Sequence, residues 1–415
     1  MIITNGYLLQ DSIIQRDIHV EGHTITHIGK DLKGDHIVDA KGMLIVPGFV
    51  NTHTHLAMTL FRGYADDMPL KEWLYDYIWP KEAHLTAEDC YYGNLLGIIE
   101  MLHTGTTCFS DMYFHEDQAF KAAQMAGMRA VLSYGMIDKG CSERGIRVLQ
   151  ETEKLNRLVR TSTLVNTAFG PHSPYTCSPE FLLKIQNRAR RENTIVHIHL
   201  HETRAEIEQF THEHGTSPVA FLDSIGFLQE NVCAAHMVHC SHQDLDILKS
   251  RNVKILHCPS SNLKLANGIA PVADMTCRGI CVTLGTDGAA ANNTLDMIRE
   301  TRLMTLLQKM KDPTAFNAGS ALTIATEHGG RALQWKTGKI APGYRADVIF
   351  IDLNHFSMIP GHNLLSNVVY SLNSSAVDTV IIDGKIIMQK GEILTLDEEA
   401  VREKVRAHAY DLLNR

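Results

Sequence analysis

The chain has 415 residues, of which 44% are hydrophobic and 21% are charged, and its formal net charge at pH 7 is −8. This composition is typical of a globular protein with a large apolar core. The acidic balance argues against nucleic acid or an anionic membrane as a partner, and no apolar run approaches the ~18 residues that a membrane-spanning helix needs.

The amino terminus and the cysteines both predict a cytoplasmic location. Residues 1–6 contain no basic segment of the kind that opens a secretory signal peptide. The 9 cysteines are odd in number and scattered, and no two of them have Cys-x-x-Cys spacing. We therefore interpret them as reduced thiols and not as a disulfide framework.

Both ends of the chain have the pattern of short β-strands. Residues 17–29 alternate, or nearly alternate, between apolar and polar side chains, and glycines stand at the breaks. Residues 344–394 have a similar texture, with a hairpin turn signal at Asp383-Gly384. We therefore predict that both ends of the chain together form one β-sandwich domain, composed of residues 1–45 and 344–395. A charged helix is predicted over residues 396–415.

The middle of the chain, residues 46–343, alternates between two kinds of segment. Short runs rich in β-branched residues are followed by longer segments with helical spacing, such as residues 87–102 and 178–191. Eight such units predict an α/β protein with a (β/α)₈ TIM barrel, whose chemistry lies at the carboxyl ends of the strands. The runs cover residues 46–51, 106–111, 129–135, 164–170, 194–201, 232–239, 253–258 and 280–287.

The first run leads into two histidines, His53 and His55, which are separated by one residue. Residues i and i+2 of a strand point to the same face, so these imidazoles would project together and could hold one metal ion. In a chain with 23 histidines, a His-x-His pair is also a frequent accident. The metal interpretation depends on polar residues that close later runs, namely His172, His197, His199, His201, Glu202, His236, His239, His257 and Asp287.

Spacing alone leaves several of these positions open. Run five carries three alternating histidines on one face, and in run six His236, His239 and His242 compete in the same way. Each is equally well explained as a hydrogen-bonded or surface histidine. Asp287 lies in a Gly-Thr-Asp-Gly sequence that is also a good turn, and Glu202 could be a solvated charge before a helix.

Several common catalytic motifs are missing from the sequence. It has no His-Glu-x-x-His, no Gly-rich phosphate loop followed by Lys-Ser/Thr and no Gly-x-Ser-x-Gly. The Pro-Cys-x-x-Cys of cytidine-type zinc deaminases is also absent. The strand-end residues therefore carry the prediction, which is a metal site with nitrogen and oxygen ligands.

These segments resemble the amidohydrolase superfamily, whose members are metal-dependent hydrolases on a (β/α)₈ barrel. The resemblance covers nearly the whole chain, with signatures at residues 47–55 (Pro-Gly-Phe-Val-Asn-Thr-His-Thr-His), 199–202, 235–236 and 285–288. More narrowly, the chain resembles the methylthioadenosine/S-adenosylhomocysteine deaminase branch, which includes 5′-deoxyadenosine deaminases. The narrower resemblance is carried by residues 78–82 (Ile-Trp-Pro-Lys-Glu), 170–175 (Gly-Pro-His-Ser-Pro-Tyr) and 257–266 (His-Cys-Pro-Ser-Ser-Asn-Leu-Lys-Leu-Ala).

The resemblance implies a role for each matching position. It selects His199 among the run-five histidines because the family's glutamate stands three residues after the ligand, at Glu202. The implied ligands of one divalent metal, one Zn²⁺ per subunit, are His53, His55, His199 and Asp287. The implied catalytic residues are Glu202 as acid, His236 as partner of the attacking oxygen and Asp287 as base. The implied substrate contacts are Glu82 to the ribose, His172 to the purine and Glu202 to the ring.

The implied activity is hydrolytic deamination of 5′-modified adenosines. The substrates would be 5′-deoxyadenosine, 5′-methylthioadenosine, S-adenosylhomocysteine and adenosine, and the products the inosine analogue and ammonia. The alternative is another amidohydrolase reaction at the same centre, either guanine or cytosine deamination or triazine dechlorination. A non-catalytic scaffold would lack a metal, and a binuclear hydrolase usually needs a lysine where run four has Phe169-Gly170.

Two positions depart from the family pattern. Tyr134 stands where members that bind S-adenosylhomocysteine well tend to have an arginine, and Ala291 stands where the family often has serine. The first departure favours neutral 5′ groups, although Arg144 or Arg147 could supply a positive charge. The predicted partners are a small-molecule nucleoside and, because relatives are often homo-oligomers, further copies of the chain, with a tetramer as one form.

Overall fold

Eight parallel strands form the centre of the molecule within residues 1–9, 13–139 and 141–415, the part of the chain that this computed structural model describes. Each strand lies within or close to one of the predicted runs, and the fourth is interrupted at residues 168–169. In chain order the strands are Phe49–Thr54, Thr106–Tyr113, Arg129–Met136, Val165–Thr167 with Gly170–Pro171, Val196–Leu200, Val232–His236, Lys254–His257 and Val282–Leu284.

The eight strands close into a barrel through two seams. The first four pair in one sheet and the last four in another, and a parallel bridge between Phe169 and Val196 joins the two sheets. At the opposite seam the Asp287 N–H donates to the His53 carbonyl at 2.9 Å, and Thr52 Oγ1 donates to the Leu284 carbonyl at 2.9 Å. The predicted (β/α)₈ barrel is therefore confirmed.

Helices follow the strands and surround the barrel. Some begin at reciprocal caps, as at Thr86, whose hydroxyl accepts the N–H of Asp89 while the Asp89 carboxylate accepts the N–H of Thr86. The helices of this region are Ala87–His103, Glu116–Ala126, Ser142–Val159, Pro179–Glu192, Arg204–His214, Pro218–Ser224, His242–Ser250, Pro259–Lys264, Val272–Cys277, Met297–Leu307, Ala318–Ala325 and Glu327–Ala332. The connection after the first strand contains the 3₁₀ turn Leu56–Phe61, the helices Leu70–Glu72 and Trp79–Glu82, and the π-helical turn Trp73–Ile78.

A layer of small and branched side chains fills the amino-terminal part of the barrel. Ala332 and Leu333 belong to the same buried cluster and pack below it. The barrel residues of the layer are Val50, Cys108, Val131, Ala168, Ile195, Cys233, Ala235 and Leu256. This layer fills the barrel at its amino-terminal end, and the chemistry of such barrels lies at the opposite end, where the strands finish.

Two further sheets are formed by both ends of the chain. A shared apolar core that includes Ile3, Val20 and Phe350 lies between them. The four-stranded sheet contains Ile2–Thr4, Asp17–Glu21, Thr24–Gly29 and Ile37–Asp39. The seven-stranded sheet contains Tyr7–Leu9, Ile13–Gln15, Met43–Pro47, Val348–Asp352, Val377–Ile382, Lys385–Gln389 and Glu392–Ile393.

The chain passes from the outer sheet to the barrel at Gly48. Met43–Pro47 pairs with Val348–Asp352 in the outer sheet, and the first barrel strand begins at Phe49. A Cβ at Gly48 would lie 2.1 Å from Thr107 Oγ1, so the crossing needs a glycine. The predicted boundary at residue 45 falls two residues before the end of this strand, because one continuous apolar run serves both sheets.

A buried ion cluster ties the barrel to the outer sheet. Arg129, at the start of the third barrel strand, donates from Nε to Asp347 and from Nη2 to Asp383, both at 2.7 Å. Its guanidinium carbon also lies 4.6 Å from the ring centroid of Trp335. Arg129 is fully buried, so the two carboxylates offset the cost of removing its charge from water.

The carboxyl-terminal part of the chain packs against the barrel helices. Leu364–Tyr370, a helix within the region that the sequence predicts as β, contacts Met297–Leu307 and Ala318–Ala325. The last helix, Glu398–Asn414, packs along Ala87–His103. Further short turns are Phe356–Met358 and Ser374–Ala376. Among the described residues, no helix combines the length and apolar character needed to cross a bilayer.

Candidate metal-dependent active site

A register shift spans His53 near the end of the first barrel strand, and His55 follows directly after that strand. The register between this strand and its neighbour shifts between Asn51 and Thr54, and bulges of this kind commonly redirect side chains beside active sites. His53 is fully buried and His55 is largely buried. Their ring centroids lie 4.9 Å apart, so the predicted pair does face one space.

The Nδ1 atoms of His55 and His199 both donate to backbone carbonyl groups. His55 Nδ1 donates to the Met112 carbonyl at 2.6 Å, and His199 Nδ1 donates to the His172 carbonyl at 2.8 Å. A neutral imidazole carries one N–H, so both Nε2 atoms are left without a proton. These two Nε2 atoms lie only 3.3 Å apart, an arrangement that a cation between them would stabilise.

His53 and Asp287 complete this cluster of ligand atoms. His53 Nδ1 bonds His197 Nε2 at 2.7 Å, while His53 Nε2 is buried without a hydrogen-bond partner in the described part of the chain. Asp287 Oδ1 lies 3.7 Å from His53 Nε2 and 3.4 Å from His55 Nε2. Three imidazole nitrogens and one carboxylate oxygen are a donor set that suits Zn²⁺, so the residues fit a divalent metal.

The Asp287 carboxylate is held firmly in this orientation. Gly288 N–H donates to Oδ1 at 2.6 Å and Ser261 Oγ donates to Oδ2 at 2.5 Å. The residue has a positive φ of 62°, a strained conformation that is often found at functional sites. The Gly-Thr-Asp-Gly sequence thus makes a tight bend and also presents a ligand.

Burial keeps the histidines of the cluster in their metal-binding form. Removal from water lowers the pKa of His53 and His199 well below the usual value, and it lowers that of His197 to about 3. It also lowers the pKa of His172, which lies beside His199, to about 4. Neutral imidazoles keep a lone pair available for a metal at physiological pH.

The Glu202 carboxyl group is buried close to the cluster. Only 7% of the residue is exposed, so the alternative of a solvated charge is wrong. Burial, and then the charge of Asp287, raise the pKa of Glu202 to about 8, although a hydrogen bond from Asn267 Nδ2 to Oε1 at 3.0 Å lowers it. The backbone N–H of Glu202 donates to Glu206 at 3.1 Å. A carboxyl group that keeps its proton at neutral pH can act as an acid.

His236 lies between Glu202 and the metal ligands. Its Nδ1 bonds Asn262 Oδ1 at 3.0 Å and its Nε2 lies 3.7 Å from Glu202 Oε2. His53, His199 and His236 also form a triad whose nitrogens lie within 4.8 Å of one another. Geometry alone therefore allows His236 either to reach a metal or to contact a molecule bound beside one.

One cavity of about 770 Å³, a volume that includes its opening to solvent, is lined by His55, His199, Glu202, His236 and Asp287. Glu82 lines the same cavity and accepts a hydrogen bond from Tyr113 Oη at 2.6 Å. His172 also lines it, with Nδ1 3.1 Å from Thr176 Oγ1. The remaining wall is apolar and aromatic, with Met58, Leu70, Trp73, Leu74, Trp79, Phe114, Tyr175 and Leu265.

A second, more open cavity shares Trp79, Glu82 and Phe114 with the first. Its other walls include Tyr134 and three cationic residues, Lys139, Arg144 and Arg147. Tyr134 Oη donates to Asp117 at 3.5 Å, which is a long hydrogen bond. Positive charge therefore borders this cavity although Tyr134 replaces the expected arginine. Ala291 lies in the apolar core, only 2% exposed.

The structure brings all of the predicted site residues to one end of the barrel. Of their competitors, His197 contacts His53, whereas His201, His239 and His242 do not line the cavity. His201 has a positive φ of 53°, and its Nδ1 donates to the His239 carbonyl at 2.7 Å. His242 Nδ1 accepts a hydrogen bond from Arg278 at 2.8 Å. His257 is buried but does not line the cavity.

Several residues that support the site are not assigned a supporting role by the sequence, although His197 is among the candidate ligands. They act through single hydrogen bonds to predicted residues, and such contacts follow from the fold and not from local spacing. They are Tyr113, His197, Ser261, Asn262 and Asn267. Ser261 and Asn262 do lie within residues 257–266, one of the segments that carry the narrower resemblance.

The chain is similar to known proteins over nearly its whole length. The model of the amidohydrolase family matches residues 44–387. The chain is 47% identical to a 5′-deoxyadenosine deaminase from Methanobrevibacter smithii, over 97% of both chains, and 45% identical to a 5-methylthioadenosine/S-adenosylhomocysteine deaminase from Thermococcus sibiricus, over 94% of both. A crystal structure of an adenosine deaminase from Xanthomonas campestris with bound zinc superposes with a TM-score of 0.96 at 31% identity, covering 100% of this chain and 98% of that one.

Proposed function

The chain belongs to the amidohydrolase family, and we propose that within this family it is a hydrolytic deaminase of 5′-modified adenosines. It would convert 5′-deoxyadenosine, 5′-methylthioadenosine, S-adenosylhomocysteine or adenosine to the inosine analogue and ammonia. The substrates named for its relatives from M. smithii and T. sibiricus support this class. The family resemblance predicted from the sequence is confirmed.

The observation that carries the proposal is one cavity that contains both a buried acid and a separate carboxylate. Glu202, beside the metal ligands, suits a ring nitrogen, while Glu82 lines the same cavity and also borders the outer one. A nucleoside has a base for the first group and sugar hydroxyls for the second. A free guanine, cytosine or triazine would leave Glu82 without a partner, which argues against the alternative reactions.

The residues proposed to hold one Zn²⁺ are His53, His55, His199 and Asp287. When bound, a divalent metal supplies Lewis acidity, which makes water a nucleophile near neutral pH. The geometry supports these ligands through the bare Nε2 atoms of His55 and His199 and the unpartnered Nε2 of His53.

The proton transfers are assigned to Glu202 and Asp287. Glu202 donates a proton to N1 of the adenine ring, which lets the ring accept electrons as water attacks C6. Asp287 accepts the proton that the attacking water loses and delivers it to the leaving amine. The second proton of that water leaves as the C6 carbonyl forms and returns Glu202 to its acid form. His236, with Nδ1 held by Asn262, shares a hydrogen bond through Nε2 with the attacking oxygen and steadies its developing charge.

Orientation of the substrate is assigned to His172 and Glu82. Both line the cavity, and we assign His172 to the purine and Glu82 to the ribose. Holding the nucleoside at both ends places C6 over the reacting groups, which lowers the entropic part of the barrier. The 5′ substituent would extend into the outer cavity, where Arg144 and Arg147 offset the loss of an arginine at Tyr134.

The experiment that tests this function follows the atoms of the reaction. Zinc-loaded protein is incubated with 5′-deoxyadenosine in ¹⁸O-labelled water, and the product is analysed by mass spectrometry while ammonia is quantified. We expect one ammonia per nucleoside consumed and one ¹⁸O atom in an intact 5′-deoxyinosine. Release of free adenine, or a product without the label, would contradict hydrolytic deamination.

The assembly state and the location in the cell remain predictions. We infer a homo-oligomer, with a tetramer as one form, in the cytoplasm. Light scattering coupled to size-exclusion chromatography would test the first part, because a chain of 46.3 kDa predicts about twice or four times that mass for a dimer or a tetramer.

A further inference from the structure

The Tyr113 hydroxyl makes the only hydrogen bond to the Glu82 carboxylate from the described part of the chain. Tyr113 Oη donates to Glu82 Oε1 at 2.6 Å. The other carboxylate oxygen, Oε2, has no partner among the same residues, and Glu82 lines the cavity. One oxygen is thus fixed by the protein and the other remains available to a ligand.

The position of the Tyr113 ring does not depend on its hydroxyl. Tyr113 is the last residue of the second barrel strand and is only 4% exposed. Its backbone N–H donates to Glu116 Oε1 at 2.7 Å. The ring centroid lies 6.1 Å from that of His55 and 5.0 Å from that of Phe114. Removing the hydroxyl alone should therefore leave the ring in place.

The hydrogen bond also affects the charge of Glu82. Burial raises the pKa of this carboxyl group to about 7, and the bond from Tyr113 opposes that effect. An ionised carboxylate accepts hydrogen bonds at both oxygens, whereas a protonated one uses one oxygen to carry its own proton. Tyr113 thus favours the form of Glu82 that can accept from two sugar hydroxyls.

We propose that Tyr113 is a positioning residue for the sugar half of the substrate, and that it fixes Glu82 Oε1 so that Oε2 accepts the ribose 2′ and 3′ hydroxyls. The inference rests on the proposed nucleoside deaminase function. Because the Tyr113 ring lies next to His55 and its hydroxyl reaches Glu82, this one side chain links a proposed metal ligand to the sugar contact. It would thereby determine where the ribose is held relative to the proposed metal site.

The test is a double-mutant cycle with Tyr113→Phe, Glu82→Gln and the combined variant. Each protein is assayed with adenosine and with 2′,3′-dideoxyadenosine, which lacks both hydroxyls. We expect Tyr113→Phe to raise KM for adenosine by about 10-fold with kcat nearly unchanged, since it weakens a hydrogen bond to a charged group. The effect on dideoxyadenosine should be less than about 2-fold, and Tyr113→Phe should add almost nothing in the Glu82→Gln background.

Tyr91→Phe is the matched control, because it removes a tyrosine hydroxyl whose hydrogen bond goes to Met125 Sδ at the surface. An equal loss on both substrates in Tyr113→Phe, or an unchanged preference for the hydroxylated substrate, would overturn the positioning role. If the wild-type protein turns over neither these nucleosides nor 5′-deoxyadenosine, the proposed function itself is wrong. If the wild type prefers adenosine and Tyr113→Phe keeps that preference, only this inference fails.

Discussion

The amide of Asn267 should set the upper pH limit of the reaction through Glu202. Asn267 Nδ2 donates to Glu202 Oε1 at 3.0 Å in a buried setting, and this bond favours the ionised carboxylate. Asn267→Leu removes the donor and keeps a side chain of similar size. A hydrogen bond to a charged group contributes about 1.5–3 kcal/mol, and one pKa unit corresponds to about 1.4 kcal/mol. The pKa of Glu202, about 8 in the wild type, should therefore rise by about 1–2 units.

Most damaging substitutions in an active site lower the rate at every pH, whereas this substitution should extend activity to higher pH. Glu202 must be protonated to act as the acid, so activity is lost as pH rises through its pKa. A higher pKa moves the alkaline limb of the kcat/KM profile upward by about 1–2 pH units, even if the maximum rate falls. The assay is a pH series of ammonia release, with Asn187→Leu on an exposed helix face as control. An alkaline limb that stays in place, or moves downward, would refute the assignment of Glu202 as the acid.

Substitutions of three buried ionisable residues, Glu202, Arg129 and Asp89, give further predictions. Glu202→Gln should lower kcat by at least about 10³-fold while the zinc content by atomic absorption stays unchanged, because Gln cannot donate a proton. Arg129→Met should reduce the free energy of unfolding in urea by about 3–5 kcal/mol, since it removes the cation bound to buried Asp347 and one of the cations bound to Asp383, which also pairs with Arg345. Asp89→Asn should lower the urea midpoint at pH 7, because Arg415 and other hydrogen-bond donors hold the pKa of Asp89 below its usual value. That stability is present above the unfolded pKa of about 4 and is lost as pH falls, so the difference from wild type should shrink at acid pH.

Each of these outcomes has a clear contrary result. Near-normal turnover by Glu202→Gln would show that another residue is the acid. Loss of zinc from this variant would show that the set of metal ligands is assigned wrongly. An Arg129→Met protein as stable as the wild type would show that the cluster with Asp347 and Asp383 adds no net stability. A deficit of Asp89→Asn that grows toward acid pH would contradict the direction of its pKa shift.

The alternation of the first barrel strand was enough to predict that His53 and His55 face one space. It could not reveal the bulge between Asn51 and Thr54, because a bulge depends on how the neighbouring strand pairs. The polar ends of the other strands gave candidate ligands by the same reasoning. The choice of His199 over its neighbours needed the family resemblance, since three alternating histidines are equivalent in a strand.

The supporting contacts could not be predicted because they join distant parts of the chain. Tyr113 and Glu82 are 31 residues apart, and Asn267 and Glu202 are 65 apart. No local period relates such pairs, which meet only after the barrel has formed. The exact point where the chain passes from the outer sheet to the barrel could not be predicted for another reason. Residues 43–50 form one apolar run that only Pro47 and Gly48 interrupt, and this run serves both sheets.

The measurement that tests the central claim most directly is a substrate panel with zinc-loaded protein. Adenosine, 5′-deoxyadenosine, methylthioadenosine, S-adenosylhomocysteine, adenine and guanine are compared by ammonia release at equal concentration. We predict turnover of the nucleosides and none of the free bases, because only a nucleoside engages Glu202 and Glu82 together. Activity confined to a free base, or to a triazine added to the panel, would contradict the account.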